Sequence, residues 1–251
     1  TFVRLPSEIG VVTNIDPEHL DFFGTREAME AAFAEFYRLV PFYGVIVTCI
    51  DHPVVRRMIG GLTEELSSHI VTYGFSHDAD MRLVELRTEG TATLFDIILN
   101  DRLAGKARRV PGVSMPIPGD HNALNATAAF AVAARAGLAD DRIIASIATF
   151  SGVKRRFTPT GTWNGVAFFD DYAHHPVELA AVLKAARKAT KGRVIGIFQP
   201  HRYTRVTGLF KDFCACFGDA DTVIVTPVYS AGEAPVAGVD QKSIADGIIA
   251  T

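Results

Sequence analysis

Short apolar runs and amphipathic stretches alternate along the first part of this chain. Ile9–Thr13 predicts a strand. Arg26–Leu39 predicts a helix, because Met29, Ala32, Phe33, Phe36 and Tyr37 recur at helical spacing. Val45–Cys49 predicts a second strand and Val54–Leu66 a second helix. From Ile70 to Pro118 the apolar period becomes two, in segments such as Thr91–Leu99 and Arg109–Pro116, which predicts a β-rich portion built of hairpins. His121–Ala136, dense in alanine and with Asp120 as its expected N-cap, and Asp140–Phe150 return to the helical pattern. Beyond Ser151-Gly152-Val153 the alternation resumes. Gly165–Phe169 and Arg193–Phe198 read as strands, and Thr222–Val225 as the last clear one. Helices are expected from Pro176, from near Thr204, and over Ser243–Ala250. Such alternation argues for an α/β protein with mainly parallel sheets, in two domains spanning 1–153 and 154–251.

The polar residues that break this pattern are concentrated where strands hand over to helices. Asp170-Asp171-Tyr172-Ala173-His174-His175-Pro176 packs carboxylates, a phenol and imidazoles into one such junction. Gln199-Pro200-His201-Arg202-Tyr203-Thr204-Arg205 forms a second. Ligands of parallel α/β sheets bind at the C-terminal ends of strands, and so many titratable groups are costly there unless something pairs with them. His201, Arg202 and Arg205 make a cationic group suited to carboxylate or phosphate, which arginine can grip with two parallel hydrogen bonds.

Composition narrows the field. With 251 residues, 48% of them hydrophobic, the chain has material for two cores, and a formal net charge of -3 with no basic stripe gives no sign of a nucleic-acid partner. No apolar run approaches the ~18 residues of a membrane span. The start, Thr1-Phe2-Val3-Arg4, has no signal-peptide pattern. Cys49, Cys214 and Cys216 suggest no disulfide framework and read as reduced thiols of a cytoplasmic protein.

The two junction motifs resemble the C-terminal domain of the Mur ligases, in their alanine-adding branch. Other segments are similar to further motifs of that family, in the family's order. Thr13-Asn14-Ile15-Asp16-Pro17-Glu18-His19-Leu20-Asp21 resembles TN-x-x-x-D/E-H-x-D, and Pro118–Ala126 resembles PG-x-HN-x-x-NA. Gly152–Phe157 resembles G-x-x-R-R-F, and Ala231–Pro235 resembles AGEAP. The family's G-x-x-x-x-G-K-S/T phosphate loop is missing, since Gly105-Lys106 lacks both the preceding Gly and the following Ser or Thr. The resemblance therefore implies a fragment: part of a P-loop-type central ATPase domain with a β-rich portion, then part of a Rossmann-like C-terminal domain, inactive on its own.

The activity implied is ATP-driven amide formation, with magnesium, in the cytoplasm. ATP would phosphorylate the lactyl carboxylate of UDP-N-acetylmuramate, and the amine of L-alanine would attack the acyl phosphate. No nucleic acid or membrane is implied as a partner. Sister ligases use a carbamylated lysine in the helix after the H-x-D motif, whereas Thr25–Gly44 contains no lysine, which fits the alanine-adding branch.

The resemblance also implies roles. His19, which alone reads as a solvated loop residue, would be a magnesium ligand. His121 and Asn122 would contact adenine. Arg156 would reach the nucleotide phosphates, Asp171 would hold the ribose or position the site, and His174 would lie near the reacting carboxyl and the transferred phosphoryl. His201, Arg202 and Arg205 would bind the amino-acid carboxylate or the muramyl substrate. Many relatives carry a basic residue where this chain has Asp120. Asp170 reads as structural, and His175 is given no role. Two other readings stay open on the residues alone. One is a metal-dependent hydrolase built on Asp170, Asp171, His174, His175 and His201; the other is a ligand-binding fragment without turnover.

Overall fold

The computed structural model describes residues 2–5, 7–17, 20–62, 66, 70–101 and 104–251. The chain forms two compact units. The first comprises Thr1–Arg87, Leu94–Met115 and Asn122–Phe150, and the second Thr88–Thr93, Pro116–His121 and Ser151–Thr251.

Up to Phe150 the chain runs β1 (Ile9–Val12), α1 (Leu20–Phe23), α2 (Arg26–Leu39), β2 (Val45–Cys49), α3 (Pro53–Gly60), β3 (Ile70–Gly74), β4 (Met81–Glu89), β5 (Ala92–Asp101), β6 (Lys106–Met115), α4 (Asp120–Arg135) and α5 (Asp140–Ala148), nearly all of it in the first unit. One six-stranded sheet has the order β1-β2-β3-β4-β5-β6, with parallel pairing from β1 through β4. All five residues of β2 are buried, which is why the strand reads as a continuous apolar run instead of an alternating one. Its side chains alternate between two cores. Ile46 packs with Met29 and Tyr37 of α2 and Val54 and Val55 of α3. Val47 and Cys49 pack with Tyr73 of β3 and Ala128 and Ala131 of α4. The one polar side chain of β2, Thr48, is satisfied by Tyr37 Oη at 2.6 Å.

Helix α2 has the predicted bounds, and Thr25 Oγ1 caps it by accepting from Ala28 N–H at 3.1 Å. Helix α3 stops at Gly60 instead of Leu66. Gly61 closes it through its N–H to Met58 O, and two consecutive glycines carry the lowest helix propensity short of proline. The β-rich portion after Ile70 exists, but it extends the parallel sheet through β3 instead of standing apart. Strands β4 and β5 are joined by Gly90-Thr91, with Gly90 at φ 61, a connection that only antiparallel neighbours can use. Asp120 is the first residue of α4 and not its cap; its carboxylate takes Lys188 Nζ at 2.5 Å and Lys184 Nζ at 3.2 Å.

The second unit contains β7 (Thr158–Trp163), β8 (Val166–Asp170), α6 (Pro176–Ala189), β9 (Ile195–Phe198), α7 (Tyr203–Gly208), α8 (Phe210–Ala215), β10 (Thr222–Val225) and α9 (Gln241–Ile249). Strands β9 and β10 pair in parallel, as the alternation predicts. Their core gathers Leu183, Phe198, Val206, Phe213, Phe217 and Ile244. Strand β8 departs from the prediction: it pairs antiparallel with β7. The reason is local. Asn164-Gly165, at φ 48 and φ 78, forms a two-residue turn that closes a hairpin.

Gly247 of α9 has no room for a side chain, because a Cβ there would stand 2.4 Å from the buried Cys214 Sγ. Gly247→Ala is expected to destabilise the second unit by about 1–3 kcal/mol through overpacking. Urea unfolding checks this; an unchanged midpoint would show that α9 shifts freely.

Candidate functional site

Asp171 joins two of the motif loops. Its Oδ1 accepts from Ala173 N–H and its Oδ2 from Phe157 N–H, both at 2.7 Å. The second bond anchors the loop that carries Arg156. On either side of that arginine, Arg155 and Phe157 have φ 61 and φ 47, a left-handed conformation that residues with a Cβ adopt only when their surroundings hold it. Tyr172 N–H donates to Arg155 O at 2.9 Å, and the Phe157 ring stacks on Phe169 at 4.4 Å. Arg155 lies over the Tyr172 ring at 4.6 Å, with its Nε 3.7 Å from Asp170.

Glu178 gathers Arg156 and His174. Its Oε2 accepts from His174 N–H at 3.0 Å and His175 N–H at 3.2 Å, while Oε1 lies 3.5 Å from Arg156. Burial is the largest single influence on this carboxyl and opposes ionisation. The His174 amide and ring, the His175 amide and Arg156 together outweigh it and hold the pKa below the ordinary value. His174 Nδ1 sits 2.8 Å from Tyr172 O, which fixes the ring. His175 is buried and caps α6, its Nδ1 accepting from Val177 N–H at 3.4 Å.

A row of rings crosses the loops that follow three strands. Tyr172 meets His174 at 5.0 Å, His174 faces His201 at 6.2 Å, and His201 faces Tyr229 at 5.1 Å. Arg205 reaches His201 Nδ1 and its carbonyl, both at 3.4 Å. Arg202 Nε lies 3.4 Å from Glu233. His201, Arg202 and Arg205 therefore share one loop and helix start, as their spacing predicts.

Of the remaining predicted residues, His121 and Asn122 open α4. Gly119 leaves room for the His121 ring, since a Cβ there would stand 2.7 Å from Cε1. In the TN motif Ile15 is buried in the first unit's core, and Asp16 Oδ1 lies 3.2 Å from His52 Nε2. His19 lies outside the described residues.

Two imidazoles of the second unit are pushed below their ordinary value near 6.5. Burial is the main cause for His121; Arg156 adds to it, against the pull of Asp171 and Asp120. Burial also leads for His201, followed by the charges of Arg205, His174 and Arg202, against Glu233. Each ring then binds fewer protons folded than unfolded, so stability is lost as pH falls below about 6.5. Thermal melts should show a lower Tm at about pH 5.5 than at about pH 7.5, and His121→Asn should reduce the difference. Equal losses in both proteins would rule His121 out as the source.

The description "Mur ligase middle domain" matches residues 2–133, and "Mur ligase, glutamate ligase domain" matches 155–251. The chain belongs to the Mur ligase family. It is 54% identical over 248 residues to the UDP-N-acetylmuramate–L-alanine ligase of Rhodopseudomonas palustris (strain HaA2), covering 99% of this chain and 52% of that protein. The chain thus spans about half the length of the curated relatives it matches. The crystal structure of UDP-N-acetylmuramate-alanine ligase MurC from Thermotoga maritima superposes with a TM-score of 0.75 at 23% identity, over 99% of this chain and 50% of that one. MurF ligase from Thermotoga maritima in complex with ADP gives a TM-score of 0.66 at 21% identity, over 88% of this chain and 48% of that one.

Two carboxylates that the motifs of this Mur ligase family member did not single out stand among the predicted site residues, Glu178 beside Arg156 and His174 and Glu233 beside Arg202. Glu178 stands three residues after the capping His175, which is the capping-box spacing and a legible signal. Glu233 lies inside the AGEAP segment, and its partners become visible only in three dimensions. The arrangement of the clustered Asp and His side chains gives the metal-dependent hydrolase reading no support. Among the described residues, no group of three or more His, Cys, Asp or Glu side chains is placed to hold a metal ion. Cys49 and Cys214 are buried and Cys216 is half-buried, and burial raises all three thiol pKa values, that of Cys216 to about 12. An open apolar hollow of about 480 Å³, lined by Val11, Thr13, Asn125, Ala128 and Val132, contains none of the predicted site residues. No helix among the described residues is long and apolar enough to cross a membrane.

Proposed function

We propose that this chain supplies part of the central and C-terminal domains of a cytoplasmic ligase that joins L-alanine to UDP-N-acetylmuramate, using ATP, in peptidoglycan precursor synthesis. Residues 1–153 would belong to the ATP-binding domain and 154–251 to the amino-acid-binding domain. The observation that carries the reading is the second unit's joined loops: Asp171 ties the Arg156 loop to the His174 loop, and Glu178 lies against both Arg156 and His174. Such fixed placement suits a phosphoryl transfer to a carboxylate, whose transition state is stabilised by fixed charge and placement more than by covalent chemistry. The ADP complex of the MurF relative and the name of the 54%-identical relative support the nucleotide and the alanine.

In this reading His121 and Asn122 contact adenine. Arg156 neutralises charge on the phosphates. Asp171 faces the ribose or keeps Arg156 in place. His174 sits beside the reacting carboxyl, and His201, Arg202 and Arg205 hold a substrate carboxylate. Magnesium, held in part by His19, would screen the phosphate charge; none of the roles given to the described residues passes through it.

The test is phosphate release by the full-length protein. Release should require ATP, L-alanine and UDP-N-acetylmuramate together, and the 251-residue chain alone should show none. Release without L-alanine, or with another amino acid preferred, would sink the reading.

A further inference from the structure

Arg202 has φ 69 and ψ 128, a backbone conformation that a residue with a Cβ keeps only when its neighbours enforce it. The enforcement comes from the segment after β10. Arg202 N–H donates to Tyr229 O and Tyr229 N–H donates to Pro200 O, each at 2.8 Å. Four residues on, Glu233 reaches back to the same loop. Its carboxylate accepts from Thr204 N–H at 3.0 Å and from Thr204 Oγ1 at 2.7 Å, and stands 3.4 Å from Arg202 Nε. Glu233 is itself placed by a turn, with Ala231 at φ 50 and Glu233 N–H donating to Ser230 O at 3.0 Å. One short segment thus holds the main chain of Arg202 and sets a carboxylate beside its guanidinium.

We propose that Glu233 is a positioning residue for recognition of the substrate carboxylate: it sets the start of α7 and the aim of Arg202 without touching substrate itself. The inference rests on the reading of Arg202 as a carboxylate-binding group. The physical gain is preorganisation. A flexible arginine held in its binding pose before substrate arrives loses less rotamer freedom on binding. The Glu233 carboxyl is suited to the task, because the Thr204 amide and hydroxyl, with Arg202 adding charge, hold it below the usual carboxylate range and keep it ionised at neutral pH.

Steady-state kinetics of Glu233→Gln, Glu233→Ala and Arg202→Ala in the full-length protein test this. Arg202→Ala identifies which substrate carboxylate is bound, by the KM that it raises. Glu233→Gln keeps an acceptor for Thr204 but removes the negative charge that faces Arg202, so it should raise that same KM about 3–10-fold. Glu233→Ala should raise it more than about tenfold, with the KM for ATP within about twofold of wild type. If Glu233→Ala fails to fold, the isosteric Gln variant decides alone. Wild-type KM values in both Glu233 variants, or a parallel rise for ATP, would overturn the inference. A role confined to folding would lower Tm and kcat without this split between substrates, and would overturn it too. If Arg202→Ala raises neither carboxylate substrate's KM, the functional reading of Arg202 fails and the inference falls with it. If Arg202→Ala raises one and the Glu233 variants do not, only the inference fails.

Discussion

Asp171→Ala should cut ligase turnover of the full-length protein by at least about a hundredfold, equivalent to about 2.7 kcal/mol of transition-state stabilisation. The carboxylate accepts two backbone N–H groups at 2.7 Å, from Phe157 in one motif loop and Ala173 in another. Hydrogen bonds to a charged group contribute about 1.5–3 kcal/mol each. Asp171 is only half-buried and water can replace part of the loss, so the second unit should lose about 2–4 kcal/mol of stability. The larger consequence is geometric. Without the Phe157 bond, the left-handed residues Arg155 and Phe157 are free to relax, and Arg156 leaves its place beside Glu178. Small displacements of a positioning group are expensive in reactions that depend on alignment. Asp171→Asn is the informative control. Its amide has one oxygen, so it can serve only one of the two donors and should fall between alanine and wild type. Phosphate-release assays and urea unfolding measure both effects. Near-normal turnover in Asp171→Ala would mean that the Arg156 loop is held by other contacts.

The second large effect is expected at the arginines. Arg205→Ala or Arg202→Ala should raise the KM for L-alanine or UDP-N-acetylmuramate about 10–150-fold, about 1.5–3 kcal/mol, and leave the KM for ATP nearly unchanged. Arg205 is tied to His201 by bonds of 3.4 Å, long enough that a carboxylate in charge-assisted contact would compete well for the guanidinium. Lysine should not rescue either position, because an ammonium lacks the planar fork that grips both carboxylate oxygens. Selective weakening of ATP would instead place these arginines at the phosphates and overturn the roles proposed for them.

Much of this protein is legible in its sequence. Helix α2 and strands β2 and β10 have the bounds that periodicity predicts, because each is set by a strong apolar pattern and, for α2, by a Thr cap. The family's motifs stand in order, and both strand-end clusters mark the loops where the structure gathers titratable groups. The Asn-Gly turn before β8 was equally legible in principle, since it is a strong hairpin signal; the strand–helix alternation around it favoured a parallel reading.

Periods, caps, turns and motif spacing depend on near neighbours and can be read along the chain. Contacts between residues far apart along the chain arise only with folding. Tertiary contact spends Asp171 on the amide of Phe157, fourteen residues earlier, and Glu233 on Thr204, twenty-nine residues earlier. It also sets Asp120 against Lys188, sixty-eight residues later. Spacing along the chain carries no information about such pairs, because a carboxylate finds its donor only after the strands that bear the two loops have packed. The charge and hydrogen-bonding capacity of the site are therefore written in the residues, while the choice of partner, and with it each group's role, belongs to the fold.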